Sequence, residues 1–227
     1  RGISGAATNS FVPSIGDTFR IVTTEHTSGI AGAFSGIVAP LSGLPDNTRF
    51  EVLYGTSSVD LVLTPSTFLS FSKSYGIANV NHFAAALDEI RPDVGTNSSS
   101  DLGQLMTGLY GLTTDGLARA LFQLSGQIHV FALASIQDSS QNSAANILEN
   151  AYDSSLLGQK AWVEASGYSM NMSEGGDASA ADNNGRSIWI GTTFAPLGFV
   201  NLGVGLGRVD SDVDAGHYGS ADTTFTG

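Results

Sequence analysis

Between Arg186 and Arg208 the chain carries no charged side chain, and the end of that stretch alternates strictly, Leu202, Val204 and Leu206 against Gly203, Gly205 and Gly207. An uncharged run of this length can be read as a membrane-crossing helix. Pro196 and the glycines at 191, 198, 203, 205 and 207 argue instead for two strands joined by a Pro-Leu-Gly turn. Successive side chains of a strand point to opposite faces, so this strand is apolar on one side and bare on the other. A bare inner face leaves room for a closely approaching backbone.

The flanking residues extend the pattern. Strands are predicted over residues 162–170, 187–195 and 199–209, with long polar loops over 171–185 and 210–222 and a short turn at 196–198. Long loops on one side and a short turn on the other, with strands of about 9–11 residues, match a transmembrane β-barrel. A polar helix is predicted just before, over 136–159, with a weak apolar stripe of Ile147, Leu148, Tyr152, Leu156 and Leu157. Such a helix is either solvated or enclosed by a polar cavity, and it is the available rod for the glycine face. The alternative is a glycine-rich strand in a soluble sandwich.

Upstream, residues 11–72 read as short strands. Phe50, Val52 and Tyr54 share one face, as do Val59, Leu61 and Leu63, with Gly-Thr-Ser as the turn between the two runs. Both a β-solenoid end and a sandwich fit, and no repeat of 20–50 residues favours the solenoid. The period then becomes helical. Val80, Phe83, Leu87 and Ile90 form one stripe, with Asn79 or Asn81 as N-cap and Pro92 beyond the end. Asp101 can cap a second helix closed by Gly111, and Thr114 or Asp115 a third closed by Gly126. The fold class expected is mainly β with a helical middle.

Composition narrows the function. The net charge is −12, from 21 acidic and 9 basic residues. No basic face is available to displace counterions from phosphate, which argues against nucleic acid. With 41% hydrophobic residues and only 13% charged, the chain is not a disordered acidic tail. The absence of cysteine excludes disulfides, thiolate metal sites and cysteine nucleophiles. It suits passage through an oxidising compartment. The first residue, Arg1, opens no signal sequence, so a mature piece or a fragment is expected.

Catalytic patterns are not found. His26, His82, His129 and His217 are far apart in sequence without His-x-x-x-His spacing. Gly32-Ala-Phe-Ser-Gly36 has the wrong spacing for a nucleophile elbow. Gly203-Val-Gly-Leu-Gly207 lacks the third dinucleotide glycine and a following helix. Asp210, Asp212 and Asp214 alternate on one strand face and offer hard oxygen ligands, but no glycine-containing loop completes a Ca²⁺ shell, and Arg208 can pair with Asp210. Glu174 and Asp177 read as solvated loop residues. No enzyme, metal or cofactor is expected.

Three segments carry a family resemblance. Leu124-Ser-Gly-Gln-Ile-His129, the strand at 162–170 with its Gly/Asp-rich loop, and Asn201-Leu-Gly-Val-Gly-Leu-Gly-Arg-Val-Asp210 occur in this order. Together they resemble autotransporters, the type V self-secreting proteins of the Gram-negative outer membrane, with Gln127 where the family commonly has Glu. Upstream, Gly16-Asp-Thr-Phe-Arg-Ile-Val22, Gly32-Ala-Phe-Ser-Gly36 and residues 50–63 resemble the end of a passenger domain. The resemblance implies a β-helical passenger end (1–78), a helical junction (79–135), a pore-threading helix (136–159) and about three first strands (160–227) of a barrel of about twelve. Three strands cannot close a barrel, and open edges in lipid are untenable, so about nine further strands are expected. The expected partners are outer-membrane lipid, the outer-membrane assembly machinery, periplasmic chaperones and a host or surface ligand. The expected place is the outer membrane and cell surface. Some members cut themselves in the threading helix by asparagine cyclisation. Asn142 and Asn146 lie in that region without the motif for the reaction, and read as polar helix-surface residues.

The resemblance implies translocation and anchoring of a surface-exposed passenger, with virulence-associated adhesion among the roles such passengers serve. Gly203, Gly205 and Gly207 are the residues expected to receive the helix. Two other readings stand beside it. One is a soluble secreted adhesin or carbohydrate-binding module with Tyr54, Tyr75 and Trp189 lining a ligand face. The other is the non-catalytic end of a secreted hydrolase.

Overall fold

A computed structural model describes residues 11–38, 43–92, 95–97, 99–152, 159–175, 179–197, 200–216 and 219–227. Asp177, His217, Leu156, Leu157, Gly198 and Phe199, singled out above, lie outside the described residues. The chain is mixed α/β, with two sheets and the helices between them in sequence. It divides into two compact units, residues 1–125 and 126–227.

The first unit holds β1 (Thr18–Thr23), β2 (Thr48–Tyr54), β3 (Ser58–Pro65), α1 (Phe68–Ser72), α2 (Ala78–Ile90), β4 (Thr96–Asn97), α3 (Asp101–Tyr110) and α4 (Thr114–Leu124). The sheet order is β1-β3-β2-β4, with β2 and β4 parallel and the other pairs antiparallel. The β2–β3 hairpin turns through the expected Gly-Thr-Ser, and Gly55 N–H donates to the Ser58 carbonyl at 2.9 Å. β4 pairs with β2, so the helices at 78–124 share one compact unit with the strands.

The caps lie one residue earlier than predicted. Ser100 accepts from Gly103 N–H and Thr113 from Gly116 N–H, which places Asp101 and Thr114 at the first helical position. Neither Asn79 nor Asn81 caps α2. Asn79 Nδ2 donates to the Ser125 carbonyl, and Asn81 Oδ1 accepts from Ser72 Oγ at 2.7 Å. The apolar stripes of these helices, Val80, Ala84, Leu87, Met106, Leu109, Leu117 and Leu121, meet Val62, Leu63 and Phe68 in the core. Each large side chain so buried contributes about 1.5–3 kcal/mol.

Arg91 sits inside this core. Its guanidinium lies 4.9 Å from the Phe68 ring centre and 5.0 Å from that of Tyr110, whose rings are stacked. It pairs with the buried Glu51 at 3.0 Å and donates to the Pro65 carbonyl at 2.9 Å and to Tyr110 Oη at 3.2 Å. Asp88, one turn before, accepts from the Phe68 and Leu69 N–H groups and so caps α1. A buried charge needs such partners.

The second unit is one long helix, α5 (Gln127–Tyr152), and the strands β5 (Gln159–Met172), β6 (Ala181–Leu197), β7 (Val200–Asp214) and β8 (Ser220–Thr226). Each strand pairs antiparallel with the next. The described residues thus hold four strands rather than three, and β5, β6 and β7 are longer than predicted. Residues Ala181 to Gly185 and Asp210 to Asp214, read as loop from their polarity, are bonded into the ladders.

Candidate functional site

The β5–β8 sheet has two opposite faces, and register assigns every residue. Trp162 pairs with Gly191 and that with Gly205; Glu164 with Trp189 and that with Gly207; Tyr168 with Gly185 and that with Ser211, which faces Thr223. These residues form the inner face, on which α5 lies. The outer face carries Val163, Ile188, Ile190, Phe194, Leu202, Val204 and Leu206.

The polarity of the two faces is reversed from that of a soluble protein. On the outside, Val163 is 69% exposed, Ile190 60%, Val204 64% and Leu206 68%. On the inside, Ser135, Ser139 and Ser143 of α5, together with Asn183, Thr193 and Ser211 of the sheet, are buried. The apolar residues make a contiguous band in neighbouring rows, about 20 Å along the strands at two residues per row. Arg186 and Arg208 mark its limit. Beyond them the same face turns acidic, with Asp182, Asp210, Asp212, Asp214 and Asp222. Arg208 pairs with Asp210 at 2.8 Å, as its position on the same face predicts, and Thr224 Oγ1 also donates to Asp210 at 2.9 Å.

Helix and sheet meet through hydroxyls at one end and aromatic rings at the other. Ser135 Oγ bonds Ser211 Oγ at 2.6 Å and donates to Asn183 Oδ1 at 3.2 Å, near the loop-bearing end. Ser139 Oγ bonds Tyr168 Oη, and Ser211 Oγ bonds Thr223 Oγ1 at 2.6 Å. Near the other end Asn150 Nδ2 donates to Glu164 Oε2 at 2.6 Å. There Trp162, Trp189 and Val209 form an apolar cluster against which Ile147, Tyr168 and Phe225 pack. The helix therefore runs from the acidic end of the sheet toward the Leu197–Val200 pair, antiparallel to β5.

The glycines explain how large rings fit beneath a helix. A Cβ at Gly205 would lie 3.1 Å from Trp162 Cη2, and one at Gly207 would fall inside the Trp189 indole. Gly191 lies likewise under Trp162 and Gly185 under Tyr168. Of the three residues singled out in sequence, Gly205 and Gly207 thus lie under indoles, and Gly203 is exposed on the same side of β7. What occupies the space over Gly205 and Gly207 is an aromatic ring, and Ile147 of α5 packs against the cluster those rings form. A sequence signal for this exists: each ring faces a glycine on the neighbouring strand once the register is known. The serine ladder of α5, spaced by four, is a second signal, and composition alone hides it as generic polarity.

Trp189 is buried, so it lines no exposed ligand face. Glu174 is exposed. Among the described residues no three His, Asp or Glu side chains cluster to hold a metal ion. No described helix is long and apolar enough to cross a membrane, which bears on helices alone. No family model, curated protein or solved structure matches this chain.

Proposed function

We propose that this chain serves translocation and anchoring: residues 1–125 as the end and junction of an exported passenger, α5 as its tether, and β5–β8 as part of the wall of an outer-membrane autotransporter barrel. The observation that carries the reading is the reversed polarity of the β5–β8 sheet, apolar outward and hydroxyl-lined against a polar helix. In water that arrangement exposes a contiguous apolar band, a hallmark of an interaction surface. In a bilayer the same band is the solvated face, and backbone polarity is satisfied by strand pairing. The acidic strand ends and longer connections beyond Arg186 and Arg208 then stand in water on the loop side, where α5 begins. The outer edges of β5 and β8 pair with further strands of the wall, because unpaired edges are not tolerated in lipid. No nucleotide motif supplies energy, so burial of apolar surface as the exported part folds outside biases the movement.

The test is a charge on the outer face. Leu206→Lys and Val204→Lys are expected to reduce recovery of the protein in the membrane fraction, as a lysine facing mid-bilayer costs about 2–4 kcal/mol. If the protein is a soluble secreted adhesin, both substitutions leave fractionation unchanged and improve solubility, and that result overturns the proposal.

A further inference from the structure

Ser135, Ser139 and Ser143 lie one turn apart on the face of α5 that meets the sheet, and all three are buried. Ser135 engages Ser211 and Asn183, and Ser139 engages Tyr168. Ser139 and Ser143 also donate to the carbonyls four residues before them, at 2.7 Å each. A hydroxyl both donates and accepts, so any of the three can satisfy the partners of another. Asn183 is wholly buried at this seam, and its Nδ2 has no partner among the described residues. The residues that continue the stripe are different. Phe131, one turn before, is buried, and Ile147, one turn after, packs against Trp162, Trp189 and Val209.

We propose that the seat of α5 is degenerate in register, so that the helix advances along the sheet in one-turn steps of about 6 Å, each step re-forming the serine bonds. Small side chains leave no ridge that must climb out of a groove. Ile147 against the indoles is the detent that selects the resting position. From the resting register only one direction of movement re-forms the bonds. Advance toward the loop end brings Ser139, then Ser143, to Asn183 and Ser211. The reverse step sets the Phe131 ring on that polar pair and leaves Asn183 Oδ1 without its serine donor, which is unfavourable. The inference deepens the tether role proposed above, by giving the helix a way to move after the sheet has formed. It depends only on helix and sheet, not on lipid.

The chain contains no cysteine, so pairs can be introduced into the full 227-residue protein without background. The pair S135C/S211C reports the resting register. The pair S143C/S211C is two turns, about 12 Å, out of register and beyond disulfide reach unless the helix moves. The pair Q141C/S211C starts from the exposed side of the helix, about 120° round from Ser135 and about 9 Å along the axis, so no step along the serine stripe brings it to Ser211, and it reports local unfolding. Under mild oxidation S135C/S211C is expected to close fastest. S143C/S211C should close about ten- to a thousandfold more slowly, as a minor state does, and clearly faster than Q141C/S211C. Adding Ile147→Ala should accelerate S143C/S211C and leave S135C/S211C unchanged. The proposal is overturned if S143C/S211C closes no faster than Q141C/S211C, or if S135C/S211C itself fails to close. None of these rates depends on membrane insertion, so a failure here is distinct from a failure of the autotransporter reading.

Discussion

Tyr110 and Arg91 show how little a single residue's role can be read from its type. Arg91 follows α2, where a cation reads as a favourable solvated end, yet its side chain is buried among Phe68, Tyr110 and Glu51. Nothing local marks it, because its partners come from β2, α1 and α3. Burial of the Tyr110 hydroxyl disfavours phenolate and raises its pKa, while the Arg91 charge pulls the other way. The folded state thus holds the proton more tightly than the unfolded chain, whose tyrosines titrate near about 10. Stability from this group is complete below that pH and falls as pH rises toward the folded value. Urea midpoints measured between neutral pH and about 11 should therefore decline, and less steeply in Tyr110→Phe. Equal slopes in the two proteins would show that Tyr110 has no part in the alkaline loss.

Elements were legible where the period was strong and obscure where polarity mimicked loop. Val80 and Leu87 of the predicted α2 stripe are buried while Ile90 is exposed, and the caps of α3 and α4 lie one residue from the predicted ones. Asn79 and Asn81 misled because distant partners, Ser125 and Ser72, claim their side chains. Strand β8 went unread because Phe225 is its one large apolar residue, and β6 began early because Asp182, Asn183 and Asn184 alternate in a ladder that composition cannot distinguish from a loop. Helix α5 begins at Gln127 rather than 136, since Ile128, Phe131 and the first serine continue one helix. The glycine face of β7 was legible as a vacancy, while its occupants were not, because register alone brings Trp162 and Trp189 over it. Gly207→Leu should therefore disrupt the helix seat, with an overpacking cost of about 1–3 kcal/mol or more. Pairing it with Trp189→Ala should recover part of the loss in thermal unfolding. A double variant no more stable than Gly207→Leu alone would mean that the indole is not what the glycine accommodates.

At the scale of the molecule, two compact units carry different physics. The first has an apolar core that encloses the Arg91–Glu51 ion pair. The second has polar contacts within and an apolar band without, an arrangement that water alone does not favour. Strict alternation of Leu202, Val204 and Leu206 with glycine made this band visible in sequence. Its inward-facing serines became meaningful only once α5 and β7 were placed together. The reading of the whole chain as a translocating anchor rests on what medium that band meets. Spin labels on single cysteines placed along β7 in lipid vesicles, at 202, 204, 206, 210 and 212, report accessibility to oxygen, which concentrates in lipid, and to a water-soluble nickel complex. The account predicts oxygen-dominated accessibility at 202, 204 and 206 and a switch to the nickel complex at 210 and 212, across Arg208. Nickel accessibility at all five positions, with the protein in the aqueous phase, would contradict it.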